Sequence, residues 1–454
     1  MNIVELISDI NAFVWGPPML ILLGGVGFFL TFGLGFLPWR KIKYAFGVLF
    51  DKNEEQGDNG IKPSQALWTA LSATVGTGNI AGVATAIALG GPGAIFYMWV
   101  IALLGMATKY AEAVVAVKYR EKDAEGNNIG GPMYYLKNGV KGPLGVTLGF
   151  LFALFGAIAA FGIGNGVQIN SMAAVLEDSF NVPTYITGLI VAALVGFVIL
   201  GGVKRIGEVA SKLVPTMIVL YISAALLVII INIAEVPAAF ALIIESAFNP
   251  VAAVGGFGGA AVAAAIRFGV ARGVFSNESG LGSAAIAHGA SQTNDPVKQG
   301  LIAMLGTFID TIIVCTMTAL VIITSGVWFS GDNGAVLTSS AYESTFAGGQ
   351  YVVAVSLAVF SFTTLLGWSY YGERCWQYIF RDGVSRHTTL YFYKIAFVIA
   401  IFVFSQQKID LVWNLADTFN GMMALPNLIG LALLSPVIFK ITRDYWKEKE
   451  KQNA

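Results

Sequence analysis

Apolar runs of about twenty residues, separated by short polar stretches, fill most of this chain, and each is long enough to cross a bilayer as a helix. They predict an all-α integral membrane protein with about eleven transmembrane helices, over residues 17–38, 64–90, 92–118, 143–176, 183–203, 207–233, 257–288, 297–325, 349–380, 388–405 and 411–440. Prolines fall where helices accept them. Pro63, Pro92, Pro143, Pro183 and Pro296 stand at predicted starts, where a missing N–H costs nothing, and Pro215, Pro426 and Pro436 lie inside spans, where kinks are expected. Ahead of the first span, Ile3, Leu6, Ile7, Ile10, Phe13 and Val14 share one helical face. Residues 1–16 lack a basic n-region and an A-x-A cleavage pattern, so they read as a helix lying in the membrane interface rather than as a signal peptide.

With the first span set aside, the others divide into two sets of five, and an odd number of spans inverts a repeat relative to its copy. The predicted organisation is therefore 1–63 (interfacial helix, first span and loop), 64–233 (first repeat), 257–440 (second repeat) and 441–454 (tail). The opening spans of the two repeats, 64–90 and 257–288, are the most glycine-interrupted, and the closing spans carry Pro215 and Pro426 at similar depth. Paired broken helices in inverted halves point to a binding site near the bilayer midplane. The repeat rests on pattern, since the halves share no residue-level identity.

Composition and charge agree. The chain is 56% hydrophobic and 12% charged with a mean hydropathy of +0.71, and an ordinary soluble domain carries roughly twice that charge. A lipid bilayer must cover much of the surface, and a formal net charge of zero gives no bias toward nucleic acid. If residue 1 lies outside, the inner segments hold Arg40, Lys41, Lys43, Lys52 and Lys62, then Lys118 to Lys141, Lys204, Arg205, Lys212, Lys298, Arg374, Arg381, Arg386 and the basic tail. The outer segments hold Lys408 alone. This one-sidedness predicts a multi-pass protein of the cell membrane with its N-terminus outside and its C-terminus cytoplasmic. Cys315 and Cys375 are isolated, so neither a disulfide framework nor a metal site is expected, and His288 and His387 read as surface or helix-end residues.

Two polar interruptions carry the chemistry. The first, Ser72-Ala73-Thr74-Val75-Gly76-Thr77-Gly78-Asn79-Ile80, places glycines and hydroxyls in the middle of a span. Unwinding there frees carbonyls for a cation and aims the N-terminus of the next half-helix at an anion. A small-residue packing face is the other reading. The second, Arg272 to Ala284, includes Ser276, Asn277 and Glu278 and is too polar for a packing face. Charged residues inside a span mark function by default, although Glu278 also reads as a structural partner of Arg272 or Arg267.

Four segments make the pattern specific: Gly90-Gly91-Pro92-Gly93-Ala94-Ile95-Phe96-Tyr97-Met98-Trp99, Gly130-Gly131-Pro132-Met133-Tyr134-Tyr135, Gly164-Asn165-Gly166-Val167-Gln168, and Arg272–Ala284. Together they resemble the alanine or glycine:cation symporter family over nearly the whole chain. The resemblance implies a LeuT-type core of two inverted five-helix repeats preceded by one extra helix, and sodium- or proton-coupled uptake of alanine and glycine. A zwitterionic amino acid then fits the two breaks. Its carboxylate suits the half-helix start at Gly76, Thr77, Gly78 and Asn79. Its ammonium suits exposed carbonyls at Gly273, Val274 and Phe275, with side-chain hydrogen bonds from Ser276 and Asn277. Gln168 reads as a polar wall or as interhelical glue. By analogy with the LeuT-type fold, Thr363 and Thr364 face the carbonyls of Ser72 and Val75 as hard oxygen ligands for a sodium ion, the coupling ion. Without the resemblance, each threonine reads as bonding its own backbone. Trp368 either caps the pocket or anchors packing.

The remaining membrane charges receive structural readings. Lys109 and Glu112, spaced i, i+3, are expected to snorkel at a cytoplasmic helix end. Asp310 and Asp417 are expected to pair with Lys or Arg, with a proton-relay role as the alternative. The expected protein is a monomeric secondary transporter. A channel needs a continuous polar pore, which paired broken helices do not suggest. No Ser/His pair, H-E-x-x-H motif or nucleotide loop lies in a span, so an intramembrane enzyme ranks last.

Overall fold

A computed structural model describes residues 3–51, 60–249, 258–380 and 386–453. Helices α1 (Ile3–Val14), α2 (Pro17–Gly33), α3 (Leu37–Arg40) and α4 (Ile42–Leu49) precede the first broken span, α5 (Pro63–Thr74) and α6 (Val83–Gly90). Next come α7 (Gly93–Lys118), a two-residue antiparallel ribbon of β1 (Glu121–Lys122) and β2 (Asn128–Ile129), α8 (Pro132–Gly139), α9 (Pro143–Phe161), α10 (Val167–Phe180), α11 (Thr184–Ile199), α12 (Gly202–Ile231) and α13 (Val236–Phe248). The second half holds α14 (Gly258–Asn277), α15 (Ala284–Gly289), α16 (Pro296–Thr307), α17 (Thr316–Thr324), α18 (Gly334–Thr345), α19 (Gly349–Ile379), α20 (Arg386–Phe404) and α21 (Ile409–Asn453). Among the described residues, seven helices are long and apolar enough to cross a membrane, or eight with the bent α5–α6 pair counted as one span. α11 and residues 388–404 of α20 are apolar but shorter.

Pro63, Pro143 and Pro296 open α5, α9 and α16, as the sequence predicts, Pro92 and Pro183 stand at the N-caps of α7 and α11, and Asp295 caps α16 by accepting from the backbone N–H of Val297 and Lys298. Pro215, Pro426 and Pro436 lie inside the continuous helices α12 and α21. The tail predicted from residue 441 is an extension of α21. α13 and α18, which the hydropathy pattern does not assign, are only 13 and 12 residues long. α1 rests on α21: Asn11 donates to the carbonyl of Asn414, and Trp15 donates to that of Asp417, while Ile10 and Phe13 are exposed. The side chains of Ile3, Leu6, Ile7 and His387, and the whole of Lys52 and Arg381, lie outside the described residues.

α7 is buried along most of its length, and α14 and α16 pack against it. α11 and α12 turn Leu194, Phe197, Val219, Leu220 and Ile230 outward, the apolar surface that a bilayer covers. At one end of the bundle the two broken spans are joined. Ile61, just before α5, exchanges backbone hydrogen bonds with Ala290 and Gln292, just after α15, at 3.0 and 2.8 Å. Arg120 clamps this bridge by donating to the carbonyls of Ser291 and Thr293.

Three π-helical turns interrupt the bundle, at Gly78–Gly82, Gly162–Gly166 and Phe308–Cys315. Each pushes one carbonyl out of regular helical register, and such turns occur often at functional sites. Asp417 pairs with Arg272, as predicted for that acid, and the guanidinium also lies over Trp413, 4.6 Å from the ring centroid. Because both charges are buried, Arg272→Met should destabilise the protein by about 3–5 kcal/mol by stranding the carboxylate. The double variant Arg272→Met/Asp417→Leu should recover most of that loss, as read by thermal unfolding in detergent.

Candidate functional site

The first break lies where the glycines place it. α5 ends at Thr74, Val75 turns to an extended backbone, and the axis bends by 54° before continuing through α6. The freed groups find partners. Gly76 N–H donates to Asn79 Oδ1 at 2.9 Å, and Thr77 N–H donates to Gln168 Oε1 at 3.1 Å. The Thr77 hydroxyl is buried and makes no hydrogen bond among the described residues. Gln168, the first turn of α10 beyond its π turn, also donates to the carbonyl of Ile163. Hence the half-helix start predicted to hold a carboxylate exists, and two neutral side chains occupy its donors.

α19 runs against this break. Thr364 donates to the carbonyl of Phe360 at 3.0 Å and approaches that of Val75 at 3.4 Å. A hydroxyl that gives its proton to its own helix keeps its lone pairs for a cation. A Cβ on Gly76 would stand 2.4 Å from Thr364 Oγ1 and 2.9 Å from Gln168 Oε1, so the glycine lets the three elements meet. Thr363 differs from expectation: it donates to the carbonyl of Phe360 and approaches Met217 Sδ at 3.5 Å. Ser72 donates to the carbonyl of Thr69 and packs on Gly367 of α19.

The second break lies further along the chain than its polar residues suggest. Gly273, Val274, Phe275, Ser276 and Asn277 are all helical within α14, and the carbonyl of Val274 already accepts from the N–H of Glu278. The carbonyls of Gly273 and Val274 are therefore engaged in the helix and not exposed for an ammonium, which corrects that expectation for these two, whereas the carbonyl of Phe275 lacks its helical donor because the N–H of Ser279 turns to Asn277 Oδ1. The chain unwinds over Glu278–Ser283, with positive φ at Glu278, Gly280 and Gly282. The side chains predicted for the site are nonetheless close to the first break. A Cβ on Gly78 would stand 2.9 Å from Ser276 Cα and 3.3 Å from Phe275 Cδ1, and Phe275 packs its ring on Trp413. Gly273 instead seats α14 on Ile101 and Met98 of α7.

Asp310, in the third π turn, joins the breaks and, contrary to expectation, forms no ion pair within bonding distance among the described residues. It accepts from Asn79 Nδ2 at 2.8 Å, Ser276 Oγ at 2.8 Å and Thr311 Oγ1 at 2.7 Å. Asn277 donates to Thr311 and caps the N–H of Ser279. Glu112 and Lys109 do not snorkel, because the elements packed on α7 bury both. Glu112 Oε1 accepts from the N–H of Gly280 and Gly282 and from Asn427 Nδ2, at 3.0, 3.1 and 2.8 Å. Lys109 Nζ makes no hydrogen bond among the described residues and lies within electrostatic range of Glu112, Glu278 and Asp310. Glu278 is not paired with Arg272 or Arg267. It accepts from Trp368 Nε1 and from Ser283 Oγ. His288 is buried and bonded to Gln299 rather than exposed at a surface. Position was the missed signal for Asp310, Lys109 and Glu112, since each lies inside a predicted span, where an ionisable side chain is costly unless used.

A bundle crossed by two broken helices, with polar side chains converging on both breaks, defines a membrane transporter of the LeuT-type fold. MhsT in complex with L-phenylalanine has the same fold, with a TM-score of 0.57 and 14% identity over 86% of this chain and 99% of that one. The chain belongs to the sodium:alanine symporter family, whose profile matches residues 1–454, so it is a transporter of the symporter type and not an enzyme. It is 49% identical to the sodium/alanine symporter AgcS of Methanococcus maripaludis over the whole of both chains. It is also 50% identical to an uncharacterised transporter of Haemophilus influenzae, over 98% of this chain and 97% of that one. Gly76→Ala should lower uptake at least about tenfold, the effect of some 1.4 kcal/mol, by separating Thr364 from Val75. Size-exclusion chromatography should show the variant folded like the parent.

Proposed function

We propose that this protein takes up small neutral amino acids, alanine and glycine, by sodium-coupled symport with alternating access. One observation carries the reading: the Thr364 hydroxyl and the Val75 carbonyl meet where α19 crosses the first break. Oxygen donors of this kind suit an alkali cation. A cation bound there holds two elements together and so favours the arrangement that also binds the amino acid. Sodium takes Val75 O and the Thr364 hydroxyl, with Ser72 and Thr363 completing the neighbourhood. The amino-acid carboxylate takes the N–H of Thr77 in place of Gln168, beside Gly76, Gly78 and Asn79. Phe275, Trp368 and Gln168 leave room for a small side chain only. The family and the 49% identity to a sodium/alanine symporter support the ion and the substrate.

Proton coupling is the second reading, favoured by Asp310 and Glu278, which are buried without a basic hydrogen-bond partner. Alanine uptake into proteoliposomes separates the two. An inward sodium gradient at equal pH should drive accumulation, and Thr364→Ala should raise the sodium concentration for half-maximal uptake about tenfold or more, the loss of one cation ligand. Full accumulation on a pH gradient without sodium would replace the first reading by the second.

The reading includes a membrane arrangement: eleven spans as one extra helix and two inverted sets of five, in the cell membrane, as a monomer, with the N-terminus outside and the C-terminus inside. The joined ends of α5 and α15 then face the cytoplasm beside Arg120. Single cysteines placed at 119–142 should label only from the cytoplasmic side, and labelling of that loop in intact cells would reverse the topology.

A further inference from the structure

Glu278 occupies a left-handed backbone position, with φ of 57°, that a bulky residue rarely takes, and its side chain is fully buried. Arg272 is spent on Asp417, so Glu278 serves no ion pair with it. Instead Oε1 accepts from Trp368 Nε1 at 2.7 Å, and Oε2 accepts from Ser283. Trp368 stands four residues after Thr364, and so on the same face of α19. It packs so closely on Gly164 that a Cβ there would lie 2.1 Å from its own Cβ, and its ring meets Tyr371 edge-on at 5.5 Å. Gly164 stands four residues before Gln168 on the facing element. Thr364, Gly76 and Gln168 therefore form one level of the site, and Trp368, Gly164 and Glu278 form the next. A buried indole N–H must keep an acceptor, and Glu278 is its acceptor here, so the carboxylate fixes the orientation of the ring.

We propose that Glu278 is a positioning residue for substrate selection: through its bond to Trp368 it holds the indole as the wall of the pocket on the side of the second break, and so sets the largest side chain that enters. This rests on the preceding reading that Trp368 lines the pocket. Glu278 touches neither substrate nor ion and acts only through the ring.

The test uses the full-length protein in proteoliposomes, with leucine competing against labelled alanine under a sodium gradient. Glu278→Ala should raise the affinity for leucine relative to alanine about tenfold, the scale on which a hydrophobic pocket reads added methylenes. Half-maximal sodium should stay as in the parent. Glu278→Gln keeps an oxygen acceptor and should discriminate like the parent, as should Ser283→Ala, which removes only the other bond. Trp368→Phe should relax discrimination by itself, and adding Glu278→Ala to it should change nothing further. An undiminished effect of Glu278→Ala in the Trp368→Phe background overturns the proposal. So does Glu278→Gln if it relaxes selectivity or uncouples uptake from sodium, because the charge would then be the function. Should Glu278→Ala fail to fold, Trp368→Phe must still relax discrimination and Glu278→Gln must still preserve it. A parent in which leucine competes as well as alanine overturns the pocket reading itself, a result distinct from selective transport that ignores these variants.

Discussion

Inside a bilayer no water is present to satisfy a backbone group that a helix releases, so every break must be repaid by protein. Several polar side chains of this core do that work. Asn79 and Gln168 take the N–H groups freed at Gly76 and Thr77, and Glu112 takes those of Gly280 and Gly282. Asn427 closes the same loop by donating to Glu112 and to the carbonyl of Gly280, and it accepts in turn from Tyr135. Residues from α7, α8, α10 and α21 therefore converge on two short unwound segments because those segments would be untenable without them.

The two breaks are satisfied with unequal strength, and that inequality assigns their roles. A neutral hydrogen bond contributes about 0.5–1.5 kcal/mol net, whereas one to a charged group contributes about 1.5–3. The first break is held by amide side chains, which an incoming carboxylate outcompetes as an acceptor. The second is held by carboxylates, by the buried Arg272–Asp417 pair just before it, and by the backbone bridge to Ile61 just after it. On the proposed reading, substrate binding at the first break replaces weak bonds with stronger ones, while the second break serves as the fixed frame. Glycine sets the distance between them: with any side chain at Gly78, the backbone of Ser276 could not approach.

The helices were legible because bilayer thickness imposes a length that hydropathy reports directly. α13 and α18 were not, since 13 and 12 residues fall below that length. The first break was legible from Gly76 and Gly78. The second lies about a turn beyond the polar residues that suggest it, at Gly280 and Gly282, whose positive φ marks the actual unwinding. Ser276 and Asn277 stay helical because Asp310 and Thr311 satisfy their side chains, a tertiary fact absent from local pattern. Lys109 and Glu112 stand near the end of α7 in sequence, and only the tertiary packing, with Gly280, Gly282 and Asn427 closing on Glu112, takes them away from water.

The same charges bear on why a cation should be needed at all. Glu112, Glu278 and Asp310 share electrostatic range of one ammonium, Lys109, while Asp417 is matched by Arg272. Each buried ion costs several kcal/mol unless compensated, and one lysine does not balance three carboxylates. On the proposed reading, a sodium ion at Val75 and Thr364 favours the arrangement in which the end of α5 and α19 are packed together. An amino acid that binds the same arrangement then binds more tightly, and by linkage it raises the affinity for the cation by the same factor. On that reading coupling needs no ion shared with the substrate, only an arrangement of α5 and α19 that both ligands favour.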